Sequence, residues 1–229
     1  GDVYKRQEKF RQKFSDDPAT FMLIDRSTRG KTETILFNID IEGSINKDKT
    51  AVLRVFAKMF YTHLGFFGEN LKVAMLEQYI DQLGKTEEFR RVFEAKKGKP
   101  WTEQRKAFAF NGKFIVPTLM EVLDMSEEDA KRWFNDKTAV EFSIAQLVED
   151  IKNYVNKQPD SFRLLFMIDE VGQYVGTDTD MLLNLQSLTE KIGSECGGKV
   201  WVMCTGQEAI DEIIKVRADE FSRIQARFK

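Results

Sequence analysis

The chain has 229 residues, of which 42% are hydrophobic, 12% aromatic and 31% charged, with only 14 Gly and 4 Pro. That composition excludes a disordered or collagen-like chain, and it argues against a pure β-sandwich, whose many tight turns need more Gly and Pro. A balance of 35 Lys and Arg against 37 Asp and Glu leaves a net charge of -2, which rules out a globally basic nucleic-acid coat.

Two cysteines and one histidine are too few for a disulfide framework or a zinc set. No stretch reaches the roughly 20 apolar residues that span a bilayer, so no membrane contact is expected. The N-terminus has no apolar core of a secretory signal, and a reducing cytoplasm is the expected location. Residues 2–7, DVYKRQ, resemble the translation of a transposase adaptor from shotgun sequencing libraries. Residues 1–7 are therefore set aside as a non-native tail. The chain ends in RIQARFK without a helix stop signal, and truncation is expected there too.

In chain order, 8–14 reads as a short polar helix and 19–25 as a second one. The run TETILFNIDIEG is apolar around Ile35 to Ile39 and predicts a buried strand over 34–40. Residues 48–63 carry Val52, Val55, Phe56, Met59 and Phe60 at helical spacing. From 65 to 160 only helices are predicted: 69–83, 87–95, 102–110, 114–123, 126–133 and 143–155. Strand signals return at 163–168 and 199–204, with a helix at 180–192 between them and another at 207–216. The expected organisation is thus an α/β core whose first part covers 8–64 and whose later part covers 161–229. A large all-helical insertion, 65–160, interrupts it. Fully apolar strands predict a parallel sheet covered on both faces.

The string RLLFMIDEVGQYVG, starting at Arg163, has the form of a Walker B element. A buried strand there delivers two acids at its carboxyl end, where open α/β sheets bind ligands. Asp169 is the expected Mg²⁺ holder, through water, and Glu170 the group that polarises an attacking water. The next strand ends in Thr205-Gly206-Gln207, which places Thr205 and Gln207 as polar sensors of a γ-phosphate. Thr205 with Glu208 fits a helix cap equally well. No phosphate loop is present. Gly30-Lys31-Thr32 imitates its tail, but Asp25 stands where a glycine is required and a strand follows instead of a helix. Asn38-Ile39-Asp40 imitates a Walker B end without the second acid.

Near the C-terminus, Arg223 and Arg227 sit where ring-forming ATPases carry an arginine that reaches a neighbour's nucleotide; a solvated helix face is the alternative. The insertion is polarised in charge. Residues 85–113 hold nine Lys or Arg against four Asp or Glu, and 121–150 hold three against nine. Trp101, Phe108, Phe110 and Phe114 interleave with the basic part, as in a nucleic-acid or partner surface or in the aromatic core of a bundle.

Taken in order, ILFNID, WFND, LLFMIDEVGQYVG, MLLNLQSLTEKIG, CGGKVWVMCTGQEAID and FSRIQARFK closely resemble the large P-loop ATPase of BREX phage-exclusion systems, the BrxC/PglY type. The match extends from Phe10 to Lys229. The resemblance implies an AAA+-like P-loop NTPase fold, present only in part, with the Walker A loop upstream of this region. It implies Asp169 and Glu170 as the Walker B pair, Thr205 and Gln207 as the sensor region, and Arg227 rather than Arg223 as a trans-acting finger. Gly206 departs from the serine expected in relatives. ATP and Mg²⁺ are the implied cofactors, other BREX components and DNA the implied partners, and a homo-oligomer the implied state of the full-length protein. The implied role is ATP hydrolysis that drives antiphage defence, with this fragment alone inactive. The alternatives are a nucleotide-regulated scaffold with little turnover and a helical DNA- or protein-binding module.

Overall fold

The structure, a computed structural model, describes residues 8–9, 12–28, 30–42, 48, 50–136, 142–175 and 178–205. Its elements in order are α1 (Pro18–Thr28), β1 (Thr32–Asn38), α2 (Ile39–Glu42), α3 (Ala51–His63), α4 (Leu71–Gln82), α5 (Thr86–Lys97) and α6 (Trp101–Gln104). There follow a 3-10 helix (Arg105–Phe110), α7 (Gly112–Leu123), α8 (Glu127–Asn135), α9 (Ile144–Asn156), β2 (Arg163–Asp169), α10 (Val171–Val175), α11 (Thr179–Glu195) and β3 (Val200–Cys204). The protein is mixed α/β, with helices predominating. Among the described residues no helix is long and apolar enough to cross a membrane. The chain forms two compact units, one from Gly1–Leu53 and Ile144–Lys229, the other from Arg54–Ser143. Helix α9, which the sequence reading placed in the insertion, falls in the first unit because its apolar side packs on α11.

The first unit is built on a three-stranded parallel sheet in the order β1-β2-β3. β1 starts two residues before the expected strand and ends two residues sooner. It stops at Asn38 because the Asn38 Oδ1 accepts the N–H groups of Asp40 and Ile41, at 3.0 and 3.1 Å, and turns the chain into α2. The Gly30-Lys31-Thr32 segment is a bend leading into β1, as its sequence implied, and it opens no helix. A Cβ on Gly30 would lie 1.8 Å from the Ser161 carbonyl oxygen, so glycine there serves close backbone approach.

Register pairs Ile35 with Phe166 and Phe37 with Ile168, and on the other side Phe166 with Val202 and Ile168 with Cys204. Since side chains alternate along a strand, these residues share one face, and Ile35, Phe37, Leu164, Phe166 and Ile168 are all buried. The opposite face presents Leu36, Trp201 and Met203, which remain 67%, 60% and 49% exposed. The expected cover of this second face is not found among the described residues; the helix predicted over 207–216 lies outside them. Strands β1, β2 and β3 advance in one direction across the sheet. Right-handed crossovers then bring α9 and α11, which precede β2 and β3, to the same side.

Among the described residues the second unit holds helices and no strand, and it follows the predicted periodicities closely apart from the 3-10 segment. Its core gathers Val73, Ile80, Phe89, Phe93, Trp101, Ile115, Leu119 and Val122, all nearly excluded from water. Trp101 meets Phe89 and Phe93 edge-on, at centroid distances of 5.1 and 5.0 Å. Ser126 caps α8 through the N–H of Asp129, as the S-x-x-D pattern of this segment suggests.

The other end of α8 is held by Lys72. Its ammonium donates to the carbonyls of Trp133, Phe134 and Asp136 at 2.6, 3.0 and 2.6 Å, and it lies 4.8 Å from the centre of the Trp133 ring. Carbonyls at a helix C-terminus lack partners within the helix, and a cation there meets the negative end of the dipole. Burial holds this ammonium below the ordinary lysine range, opposed by the nearby Asp136 charge. Lys72→Met keeps the apolar stem and removes the three bonds. It is expected to lower the stability of this unit by about 2 kcal/mol, the scale of a hydrogen bond to a charged group, measured by urea unfolding.

Candidate functional site

The carboxyl ends of the three strands bring together the residues that the sequence singled out. β2 ends at Asp169, and register places Asn38, the last residue of β1, directly beside it. On the other side the ladder continues one step past β3, with the Thr205 N–H donating to the Ile168 carbonyl at 2.9 Å. Asn38, Asp169 and Thr205 therefore form a row of three polar residues across the sheet, at one height and on its open face. The Thr205 hydroxyl donates to Asp169 Oδ1. The Glu170 N–H donates to the same oxygen at 3.0 Å.

Beyond Asp169 the chain makes a sharp turn. Glu170 has φ 63°, in the left-handed region that non-glycine residues occupy at a cost of about 1–2 kcal/mol. Its carbonyl accepts the Tyr174 N–H at 3.1 Å and so starts α10, while the first N–H of that helix, from Val171, reaches the Thr205 carbonyl at 3.2 Å. The turn is thus tied to the β3 tip at two points, the Asp169 carboxylate and the Val171 amide. The short helices α2 and α10, which leave β1 and β2, pack on each other beside it. Asp169 and Thr205 are exposed, and Glu170 is half-buried.

The arrangement suits one ligand of a hydrated Mg²⁺. Such an ion is held through one or two carboxylates, keeps several waters and takes the rest of its shell from substrate phosphates. Asp169 offers an exposed carboxylate whose bonds to described residues both fall on Oδ1, leaving Oδ2 for a water or an ion. Among the described residues no group of three or more His, Cys, Asp and Glu gathers, so a closed cage of protein ligands is not what these side chains build. Burial pushes the thiol of Cys204, the last residue of β3, up to about 12, which disfavours the thiolate. Burial likewise raises Cys196, at the end of α11, to about 11.

Of the sequence-predicted site, the structure joins Asp169, Glu170 and Thr205. Gln207, Arg227 and the alternative Arg223 lie outside the described residues, as does the predicted helix over 207–216. Sequence reasoning set Asn38 aside as an imitation of an acidic strand end, yet it stands next to Asp169. Its signal was present in the parallel form of ILFNID and LFMIDE, two apolar runs that end in a polar residue at matching register. No family model matches the chain, and no solved structure matches it.

Proposed function

We propose that the chain is the later part of a Mg²⁺-dependent ATPase core, with Asp169 as the Mg²⁺ holder and Glu170 as the base that orients water. The observation that carries this reading is the acidic pair at the tip of the central strand, with its first carboxylate hydrogen-bonded to the hydroxyl at the tip of the next strand. Open parallel sheets bind ligands outside the carboxyl ends of their strands, and phosphoryl transfer to water needs little from the protein beyond positioned charge and a positioned base. When bound, Mg²⁺ with ATP supplies an electrophilic phosphorus and a neutralised triphosphate.

The chain's own residues divide the remaining work. The Thr205 hydroxyl and the Glu170 N–H fix the Asp169 carboxylate through Oδ1 and make no use of Oδ2. Thr205, and beyond it Gln207, would report on the γ-phosphate, and Arg227 would act on a neighbouring subunit of a homo-oligomer. In this proposal the phosphate-binding loop comes from outside the 229 residues, and the biological setting is a cytoplasmic BREX antiphage complex working on DNA with the other BREX components.

The test is nucleotide binding by the protein that carries the phosphate loop, with and without Mg²⁺. Asp169→Asn is expected to weaken ATP binding at least tenfold, about 1.4 kcal/mol, in Mg²⁺ and to leave binding in EDTA unchanged. Equal affinities of mutant and wild type in Mg²⁺ would remove Asp169 from the site.

A further inference from the structure

The basic part of the helical unit resolves into two populations. Lys96 is paired with Glu121 at 2.7 Å, Arg105 with Glu77 at 3.0 Å, and Lys85 is spent on the Val122 carbonyl at 2.6 Å. Arg90 is likewise paired, with Glu87 at 3.0 Å. Lys97 and Lys113, from α5 and α7, place their ammonium groups 4.5 and 4.9 Å from the centre of the same ring, the half-buried Phe114. Lys99 and Lys106 are exposed. Over residues 96–113 the only acidic residue is Glu103, against six Lys and Arg.

Beside this cluster in sequence, four residues after Lys106 and three before Lys113, stands Phe110. It is 88% exposed, whereas Phe108, two residues earlier, is buried edge-on against Trp133 at 6.0 Å. Phe110 does not owe its exposure to a loose loop. Ala107 breaks the helical geometry, with φ -104° and ψ 34°, and the buried Asn111 fastens the turn by donating to the carbonyls of Gln104 and Ala107 at 3.0 and 3.2 Å. Its own N–H reaches the Phe108 carbonyl at 3.0 Å. Gly112 closes the turn so tightly that an added Cβ would lie 2.6 Å from the Phe134 ring. A buried asparagine, and a glycine packed against the Phe134 ring, fix the turn from which the exposed Phe110 projects.

An exposed aromatic ring on a fixed turn, within four residues of the exposed Lys106 and Lys113, is the combination that single-stranded nucleic acid requires. The ring gives an unstacked base a stacking surface, and the lysines meet the phosphates. An acidic peptide would use the lysines and leave the Phe110 ring without a partner. A duplex keeps its bases stacked and offers the ring nothing. We infer that the surface formed by Phe110, Lys97, Lys106 and Lys113 is a binding site for single-stranded nucleic acid. This assignment is independent of the reading of the β2 tip, which lies in the other unit.

The experiment is fluorescence anisotropy of the 229-residue chain with a labelled oligothymidine of about 20 nucleotides, repeated across a salt series. Wild type is expected to bind, more weakly as salt rises. Phe110→Ala, at a position too exposed to affect folding, is expected to weaken binding roughly tenfold, and Phe110→Trp to retain it with quenched indole emission. The Lys97→Gln, Lys113→Gln double variant is expected to flatten the slope of log K against log salt by about 1.4, two phosphate contacts' worth. Absence of binding at low salt, tighter binding to a duplex of the same length, full competition by poly-glutamate, or a Phe110→Ala variant that binds like wild type would each overturn the assignment.

Discussion

Replacing Glu77 by alanine is expected to destabilise the helical unit by about 3–5 kcal/mol, the range for stripping one partner from a buried ion pair. Glu77 lies on α4, and its side chain is 10% exposed. One oxygen accepts the Trp101 indole N–H at 2.6 Å and Arg105 Nη1 at 3.0 Å, while the other accepts the Phe67 backbone N–H at 2.6 Å. The Arg105 guanidinium lies 5.1 Å above the Phe67 ring. Alanine would leave an indole, an amide and a guanidinium without an acceptor, each carrying its own desolvation penalty.

Glu77→Gln is expected to fall between wild type and alanine, since an amide keeps one acceptor but turns a donor toward Arg105 or Phe67. The measurement is urea unfolding followed by tryptophan emission in a Trp201→Phe background, so that Trp101 and Trp133, both in the helical unit, report alone. A midpoint shift at constant slope is expected. A loss below about 1 kcal/mol would mean that the pair behaves like a solvated surface bridge.

The same network shows what a sequence can and cannot disclose. Helix positions were readable because apolar residues recur at helical spacing: 114–123 was expected and Gly112–Leu123 is found, 143–155 was expected and Ile144–Asn156 is found. β2 was readable because six apolar or aliphatic-stemmed residues precede two acids. Glu77 was not singled out, since its partners at Phe67, Trp101 and Arg105 are set by packing and not by spacing. The same holds for Asn38, whose neighbour Asp169 is more than a hundred residues away and is supplied by strand register.

Phe110, which the sequence left open between surface and core, was unreadable for a different reason. A continuous helix over 102–110 would turn the ring at 110 by the helical period, but capture of the Gln104 and Ala107 carbonyls by Asn111 resets the period at Ala107. On the sheet, apolar Leu36, Trp201 and Met203 imply a cover on the second face. The strand order explains why the crossovers of β1 to β3 do not provide it.

At the β2 tip the expected effects are larger in rate than in stability. Glu170 occupies a turn whose geometry is fixed by backbone bonds: its N–H to Asp169 and its carbonyl to Tyr174. Glu170→Gln leaves these bonds and the left-handed φ in place. What it removes is the capacity of the side chain to take a proton from water. A positioned general base contributes about 10²–10⁴ in rate, and a substitution confined to that role leaves ground-state binding intact. The nucleotide-switch reading assigns Glu170 no proton and expects binding and turnover to be equally indifferent to the change.

The most direct measurement is therefore steady-state Mg-ATP hydrolysis by wild type and Glu170→Gln, in the protein that carries its phosphate loop, with ATP affinity determined in parallel. The predicted result is a fall in turnover of at least about 100-fold with affinity changed by no more than about threefold. Turnover that survives the substitution unchanged would contradict the assignment of the β2 tip as a catalytic centre.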